Sequence, residues 1–363
     1  LARLPAELKA IALILAVAGV AAGSVFVSTA SSSRGAVAPT ALPTVRPVRP
    51  TPIPAVINGR LEGLPTPRAL ALRRPVAVVL DNFYPDARPQ SGIGAASVVF
   101  ESLAEGGITR FMALYLERDA ARVGPIRSAR PYFVSWAAGY RALVVHAGGA
   151  PAALQLLFRT PALGNVEALL PRPEFSRSSD RVTPHNLYGS TTGARAIAQR
   201  NGWDSVGHFA WLPHRAPAPE KTRGKNASYA ISFSTPSISS PPAYLVTYTY
   251  DRSRNVYLRS QGGQPFLDQS TRRQVAASNV VILFTNIHPI PGDPDGRISI
   301  STVGHGKAVI LQNGHETTGT WSKPSDASPL RLRSTTGSVV PMNPGQTWIE
   351  VTVEGDLTRQ PGQ

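Results

Sequence analysis

The stretch 97–116, SVVFESLAEGGITRFMALYL, reads as two strands closed by a glycine turn. Ser97 to Leu103 and Thr109 to Leu116 are runs rich in β-branched, aromatic and other apolar residues, and Glu105-Gly106-Gly107 supplies the turn between them. In a strand, Val99, Glu101, Leu103 and Glu105 share one face. A helix would also keep Glu101 and Glu105 together, at i,i+4. Ionisable groups in so apolar a setting need partners, because desolvating a charge costs several kcal/mol or more. The same applies to the flanking polar set Asp81, Arg88, Gln90, Arg110, Arg127 and Arg130. Coming from several segments, these side chains are expected to converge on one cleft, the best candidate for a functional site.

Upstream, Pro75 to Leu80 is a buried strand whose polar edge is Asp81-Asn82. Downstream, a helix over Arg130 to Tyr140 with Ser128 as N-cap precedes the strand Ala142 to His146. Gly148-Gly149 ends that strand, Pro151 opens a helix to about Phe158, and Thr192 to Gln199 forms another. The expected class is α+β, with an N-terminal mixed α/β layer domain at 75–215 carrying the candidate site. A Pro/Ser-rich linker at 216–243 leads to a mainly β C-terminal domain at 244–355, built from short runs separated by Gly, Pro, Asn or Asp. A Pro-rich tether over 31–74 precedes the folded part. Ahead of it, residues 1–30 read as a signal peptide or membrane anchor, with the apolar run Ile11 to Val27 behind Arg3 and Lys9. The bulk of the chain is therefore expected at the extracytoplasmic face of the cell membrane, or secreted if the segment is cleaved near Ala30.

The 363 residues carry 37 Lys+Arg against 22 Asp+Glu, a formal charge of +15 that favours anionic partners. The absence of Cys excludes disulfides, thiolate metal sites and cysteine nucleophiles. His315-Glu316-Thr317-Thr318-Gly319 lacks the second His of a zinc helix and reads as a strand-connecting turn. Gly304-His305-Gly306-Lys307 lacks phosphate-loop spacing and reads as a tight turn, and Gly92 to Ser97 is a broken dinucleotide fingerprint. There is no GxSxG elbow. No metal and no cofactor are expected, and no basic stripe interleaved with aromatics supports nucleic-acid binding.

Gly124-Pro125-Ile126-Arg127-Ser128-Ala129-Arg130-Pro131 offers two guanidiniums and a hydroxyl beside a helix start, which suits an oxyanion. The competing reading has Arg127 and Arg130 paired with Glu101 and Glu105 to hold the hairpin. Glu105 and His146 are candidate general bases, and His185 a candidate acid. Asp81, Arg88, Gln90, Glu101, Arg110, Arg127, Ser128, Arg130 and Asn186 are the expected ligand contacts. Trp321, Trp348, Tyr250 and Tyr257 suit either sugar stacking or core packing.

RPVAVVLDN at 74–82, ARPQSGIGAASVVFE at 87–101, EGGITRFMALY at 105–115, GPIRSARPYF at 124–133 and PHNLY at 184–188 together resemble the YerB-like bacterial lipoprotein family. Tyr257, Arg259, Phe266 and Asp268, then SNVVI, GHGKAV, NGHETTGTW and PGQTWIEV, resemble its C-terminal domain. The resemblance implies an exported, membrane-associated protein of two domains and implies no reaction. Such proteins carry a lipidated Cys after the signal, which this sequence lacks, so attachment through the N-terminal helix is expected. Three roles stay open: capture of an anionic envelope polymer or small anionic ligand, a metal-independent envelope hydrolase or transferase, and a scaffold for another envelope protein.

Overall fold

The computed structural model describes residues 54–204, 209–225 and 227–360. The expected signal or anchor at 1–30, and the tether as far as residue 53, lie outside the described residues. Among those described, no helix is long and apolar enough to cross a membrane.

Five strands of the first half enter the main sheet: β1 (Val76–Leu80), β2 (Val98–Leu103), β3 (Thr109–Tyr115), β4 (Leu143–His146) and β5 (Gly164–Glu167). Next come β6 (Ser228–Ile231), β7 (Val246–Asp251), β8 (Val256–Gln261), β9 (Gln264–Pro265) and β10 (Ala276–Ala277). The remaining strands of the two large sheets are β11 (Asn279–Phe284), β12 (Gly304–Gln312), β13 (His315–Lys323), β14 (Arg331–Ser334), β15 (Thr347–Thr352) and β16 (Leu357–Gln360). The hairpin read from 97–116 is β2 and β3, antiparallel with Glu101 opposite Phe111.

Strands from both halves of the chain build one ten-stranded sheet, ordered β14-β13-β12-β11-β15-β2-β3-β1-β4-β5. Its seam is β15 running parallel to β2, with Glu350 in register with Glu101. Strand β6 falls inside the stretch expected to be a linker, and pairs with β7 and β16 in a second, six-stranded sheet. Its sequence Ser-Tyr-Ala-Ile alternates half-buried and buried, the signature of a strand with one covered face, which the surrounding Pro and Ser obscured.

Alternation along β2 sets the layers. Phe100 points to the helices and stacks on Trp136 of α1 (Pro131–Ala138) with centroids 5.0 Å apart. Helix α2 (Pro151–Arg159) packs against α1, and α3 (Thr191–Arg200) lies over β1, β4 and β5. On the opposite face, Glu101 and Phe111 meet the second sheet, where Phe266 lies 5.7 Å from Phe111. In β8, Tyr257, Arg259 and Gln261 are buried while their neighbours are half-exposed, so each points inward.

Three local expectations change. Ser128 does not cap α1; Arg130 occupies the N-cap position, and Pro131 fixes the first turn. Gly304 to Lys307 opens β12 instead of turning, and Gly306 is there because a Cβ would lie 2.5 Å from Trp321 Nε1. The turn lies at Asn313-Gly314, so His315 to Gly319 already belong to β13. Trp321, Trp348, Tyr250 and Tyr257 are all buried in the core.

The layers are joined by an ion pair. Arg259 and Glu101 are both 0% exposed, and Arg259 Nη2 donates to Glu101 Oε2. Thr109 Oγ1 at 2.6 Å and Gln261 Nε2 at 3.1 Å donate to the other carboxylate oxygen. The guanidinium lies over the rings of Phe266 and Trp348, 4.1 and 4.5 Å from their centroids. Glu350 stands beside Glu101; burial above all, then the Glu101 charge, pushes its carboxyl well above the carboxylate range, and Tyr248 donates to it. Removing one partner leaves the other charge buried, so Arg259→Met should cost about 3–5 kcal/mol in urea denaturation. Adding Glu101→Leu should recover about 2 kcal/mol. A double variant no more stable than Arg259→Met would refute the pairing as the joint between layers.

Candidate functional site

The hairpin serves two faces through adjacent residues. Thr109 turns toward the interlayer pair, so Arg110, one residue on, must turn to the helix side. There it lines a cleft of about 400 Å³ with Glu105, Arg127, Ser128 and Arg130. Phe83, Ile108, Gly149 and Ala150 complete the wall, and Asp295 and Arg297 reach in from the loop before Ile298–Ile300. At the turn, Gly107 lets the backbone pass close to Ser239, whose carbonyl would lie 2.4 Å from a Cβ.

Two of the cationic groups are already matched. Arg130 grips Glu105 in a two-pronged pair, Nε to Oε1 at 2.5 Å and Nη2 to Oε2 at 2.7 Å, and its Nη1 reaches the Ala129 carbonyl at 3.0 Å. Burial pushes the Glu105 carboxyl up, but the Arg130 hydrogen bonds and charge, with Arg110 assisting, bring it below its ordinary value. That disfavours Glu105 as a base near neutral pH. Arg297 is held within its own loop by Asp293 at 2.8 Å and by Asp295.

Arg110 and Arg127 differ. Arg110 is 3% exposed and has no carboxylate within ion-pair distance among the described residues; its one hydrogen bond is Nη1 to the Ser128 carbonyl at 3.3 Å. Burial first, then Arg130, lower its pKa to about 10, so it remains charged at neutral pH. Arg127 Nε lies 3.2 Å from Asp81 Oδ2 without hydrogen-bond geometry, and neither Nη nor the Ser128 hydroxyl has a described partner. The cleft therefore presents two incompletely matched guanidiniums and a hydroxyl. Helix α2 begins at its rim, which adds the positive end of a helix.

Behind Arg127, Asp81 also takes His185 Nδ1 at 2.7 Å and the Phe83 amide at 3.1 Å, while the His185 ring stacks on Phe83 at 4.7 Å. The other candidates lie elsewhere. Glu101 belongs to the interlayer pair, and Asn82 accepts from Arg88 at 2.8 Å and Gln90 at 3.1 Å beside it. His146 is buried with Nδ1 at the Gly148 carbonyl, 2.8 Å, and Nε2 at Asn165 Oδ1, 2.7 Å, so neither nitrogen is free for proton transfer. Asn186 ties its own loop together through the Ser178 and Arg181 carbonyls at 2.9 and 3.1 Å. Sequence reasoning missed Arg259 and Gln261, although the period-two pattern of Tyr257, Arg259 and Gln261 marks them as inward-facing. It also missed Arg297 and Glu350; the Asp-Pro-Asp-Gly-Arg turn carries no cue that it reaches this cleft. No group of three or more metal-ligating side chains occurs among the described residues.

Fold and site together define an α+β protein whose two successive segments complete one sheet around a basic cleft. The chain belongs to the DUF3048 family: residues 61–204 match "Protein of unknown function (DUF3048) N-terminal domain", and 237–349 match the corresponding C-terminal domain. It is 33% identical over 305 residues to the protein of Bacillus subtilis (strain 168) called "Putative lipoprotein YerB", covering 83% of this chain and 87% of that one. The crystal structure of YerB from Bacillus subtilis is similar with a TM-score of 0.74 at 31% identity, over 84% of this chain and all of that one. The resemblance read from the sequence is thereby confirmed.

The Glu105 pair sets a pH dependence. A carboxyl held below its ordinary value contributes stability that is complete above about pH 4.5, the reference for the unfolded chain, and is lost as pH falls through the lower folded value. Glu105→Gln should cost about 2–3 kcal/mol at neutral pH and reduce the acid-side loss. Urea melts across the acid range check this; an unchanged pH profile would show that the pair contributes nothing.

Proposed function

We propose that this is an extracytoplasmic, membrane-tethered protein that captures an anionic cell-envelope ligand in the cleft between the 105–110 turn and the 127–130 segment. One observation carries the reading: Arg110 is a buried guanidinium that lines the cleft and has no carboxylate within ion-pair distance among the described residues, Asp81 and Glu105 acting on it only from farther off. Two guanidiniums and a hydroxyl match a carboxylate or phosphate group, to which Arg donates in a planar fork. The location is supported by the apolar N-terminal run, the basic flank and the name of the Bacillus subtilis relative.

A hydrolase or transferase has one observation in its favour, the orientation of His185 by Asp81. Against it, Glu105 is closed off by Arg130, His146 is saturated, and among the described residues no hydroxyl hydrogen-bonds to the His185 ring. Capture is therefore the better reading.

Arg110→Met keeps length and removes the charge. Without ligand, this variant should be more stable than the natural chain by roughly 1–2 kcal/mol, because a buried cation that Asp81 and Glu105 offset only from a distance is replaced by an apolar side chain. Inorganic phosphate or succinate should raise the melting temperature of the natural protein and leave that of Arg110→Met unchanged. Equal responses of the two proteins to both anions would overturn capture at this cleft.

A further inference from the structure

The rim of the cleft continues into exposed apolar side chains. On α2, Leu154 and Phe158 lie one turn apart on the same face, 39% and 87% exposed. After β5, Leu169 is 52% exposed. Two adjacent glycines bring these residues to the cleft: a Cβ on Gly148 would lie 3.6 Å from Leu169 Cδ1, and one on Gly149 would lie 3.0 Å from Leu154 Cδ2. Gly149 also lines the cleft that holds Arg110 and Arg127. An apolar patch thus shares its border with incompletely matched guanidiniums.

From this juxtaposition we infer that the α2 face is a membrane-contact surface, on which Leu154, Phe158 and Leu169 enter the outer edge of a bilayer while Arg110 and Arg127 take the phosphate of an anionic phospholipid headgroup. The inference rests on the capture reading and names the source of its anion. Exposed apolar side chains rimmed by charge mark a protein or a lipid partner. Charge favours an anionic partner: two guanidiniums, the exposed Arg159 directly after Phe158 and the overall charge of +15 outweigh Glu167, the carboxylate at this border, which the Gly148 and Leu169 amides engage. The apolar part is three side chains, whereas a stable protein interface engages about 20–30 residues per partner. Adsorption to a bilayer needs no such area, because buried apolar side chains and basic groups act together.

The chain contains no Cys, so one introduced thiol reports from one place. The full-length protein carrying an environment-sensitive nitrobenzoxadiazole dye at Phe158→Cys is mixed with vesicles of phosphatidylcholine alone or phosphatidylcholine with phosphatidylglycerol. The control dye sits at the exposed Thr335→Cys, which follows β14 at the opposite edge of the large sheet. On phosphatidylglycerol vesicles the dye at 158 should shift to the blue and lose most of its quenching by aqueous iodide, while the dye at 335 stays quenched. Phosphatidylcholine alone should leave both dyes quenched. Leu154→Ser with Leu169→Ser should restore quenching at 158, as should added salt, and so should Arg127→Gln, whose fold is checked by an unchanged circular dichroism spectrum.

Full quenching at 158 on phosphatidylglycerol, or equal protection on neutral vesicles, overturns the inference. So does protection that grows with protein concentration without vesicles, which identifies a second copy as the occupant. Protection that survives Arg127→Gln refutes the joint use of cleft and patch. Phosphate-induced stabilisation with an unprotected dye leaves anion capture standing and removes only the bilayer; loss of both removes the capture reading as well.

Discussion

The Arg259–Glu101 pair is the constraint on which the molecule is arranged. Each charge costs several kcal/mol to remove from water, so the pair is tolerable only where further hydrogen bonds complete it. Thr109 and Gln261 do this for the carboxylate, and the Phe266 and Trp348 rings cover the guanidinium. The requirement fixes the position of β8 over β2. It also binds the second half of the chain to the first, because Arg259 is 158 residues from its partner. The parallel seam between β15 and β2 then places Glu350 beside Glu101, where two adjacent buried carboxylates favour one neutral acid.

The same hairpin builds the cleft by alternation. Thr109 belongs to the interlayer pair, so Arg110 must face the helices, and its backbone is as rigid as the sheet that holds it. The cleft thereby separates closed pairs from open ones. Arg130 and Glu105 satisfy one another and fix the turn, and Arg297 is retained by its own loop. Arg127 shares Asp81 with His185, and Arg110 has no acid within ion-pair distance among the described residues. Both incompletely matched guanidiniums line the same cleft, Arg110 from β3 and Arg127 from the segment that leads into α1.

Local rules made much of this legible. The runs 76–80, 98–103 and 109–115 are strands because their residues bury both faces of a central sheet, and the glycines at 106–107 allow the turn. Pro131 and Pro151 mark helix starts for a reason that acts within one residue. Pairing is different, since the partner of a charge depends on which segments the fold superimposes. Glu101 has the geometry to accept Arg127 on paper, yet it is claimed by Arg259 from the second half. His146 has the composition of a proton shuttle, yet Gly148 and Asn165 occupy both nitrogens. The strand at 228–231 was hidden for a related reason: four residues among Pro and Ser take their order from neighbours β7 and β16 more than from their own propensity.

The unpaired state of Arg110 then bears on why the sequence retains it. A buried cation whose acids stand beyond ion-pair distance disfavours folding, and an apolar side chain of equal length would fill the same volume at lower cost. The structure meets that cost elsewhere: Glu105 could have been its partner but is held by Arg130, and Asp81 is held by His185 and Arg127. Acids are therefore present within the region and are withheld from this one guanidinium. An arrangement that engages its carboxylates with neighbours and leaves the central cation without a direct partner is what the proposed capture of an anion requires, since the ligand would then bring the counter-charge that folding does not place beside it.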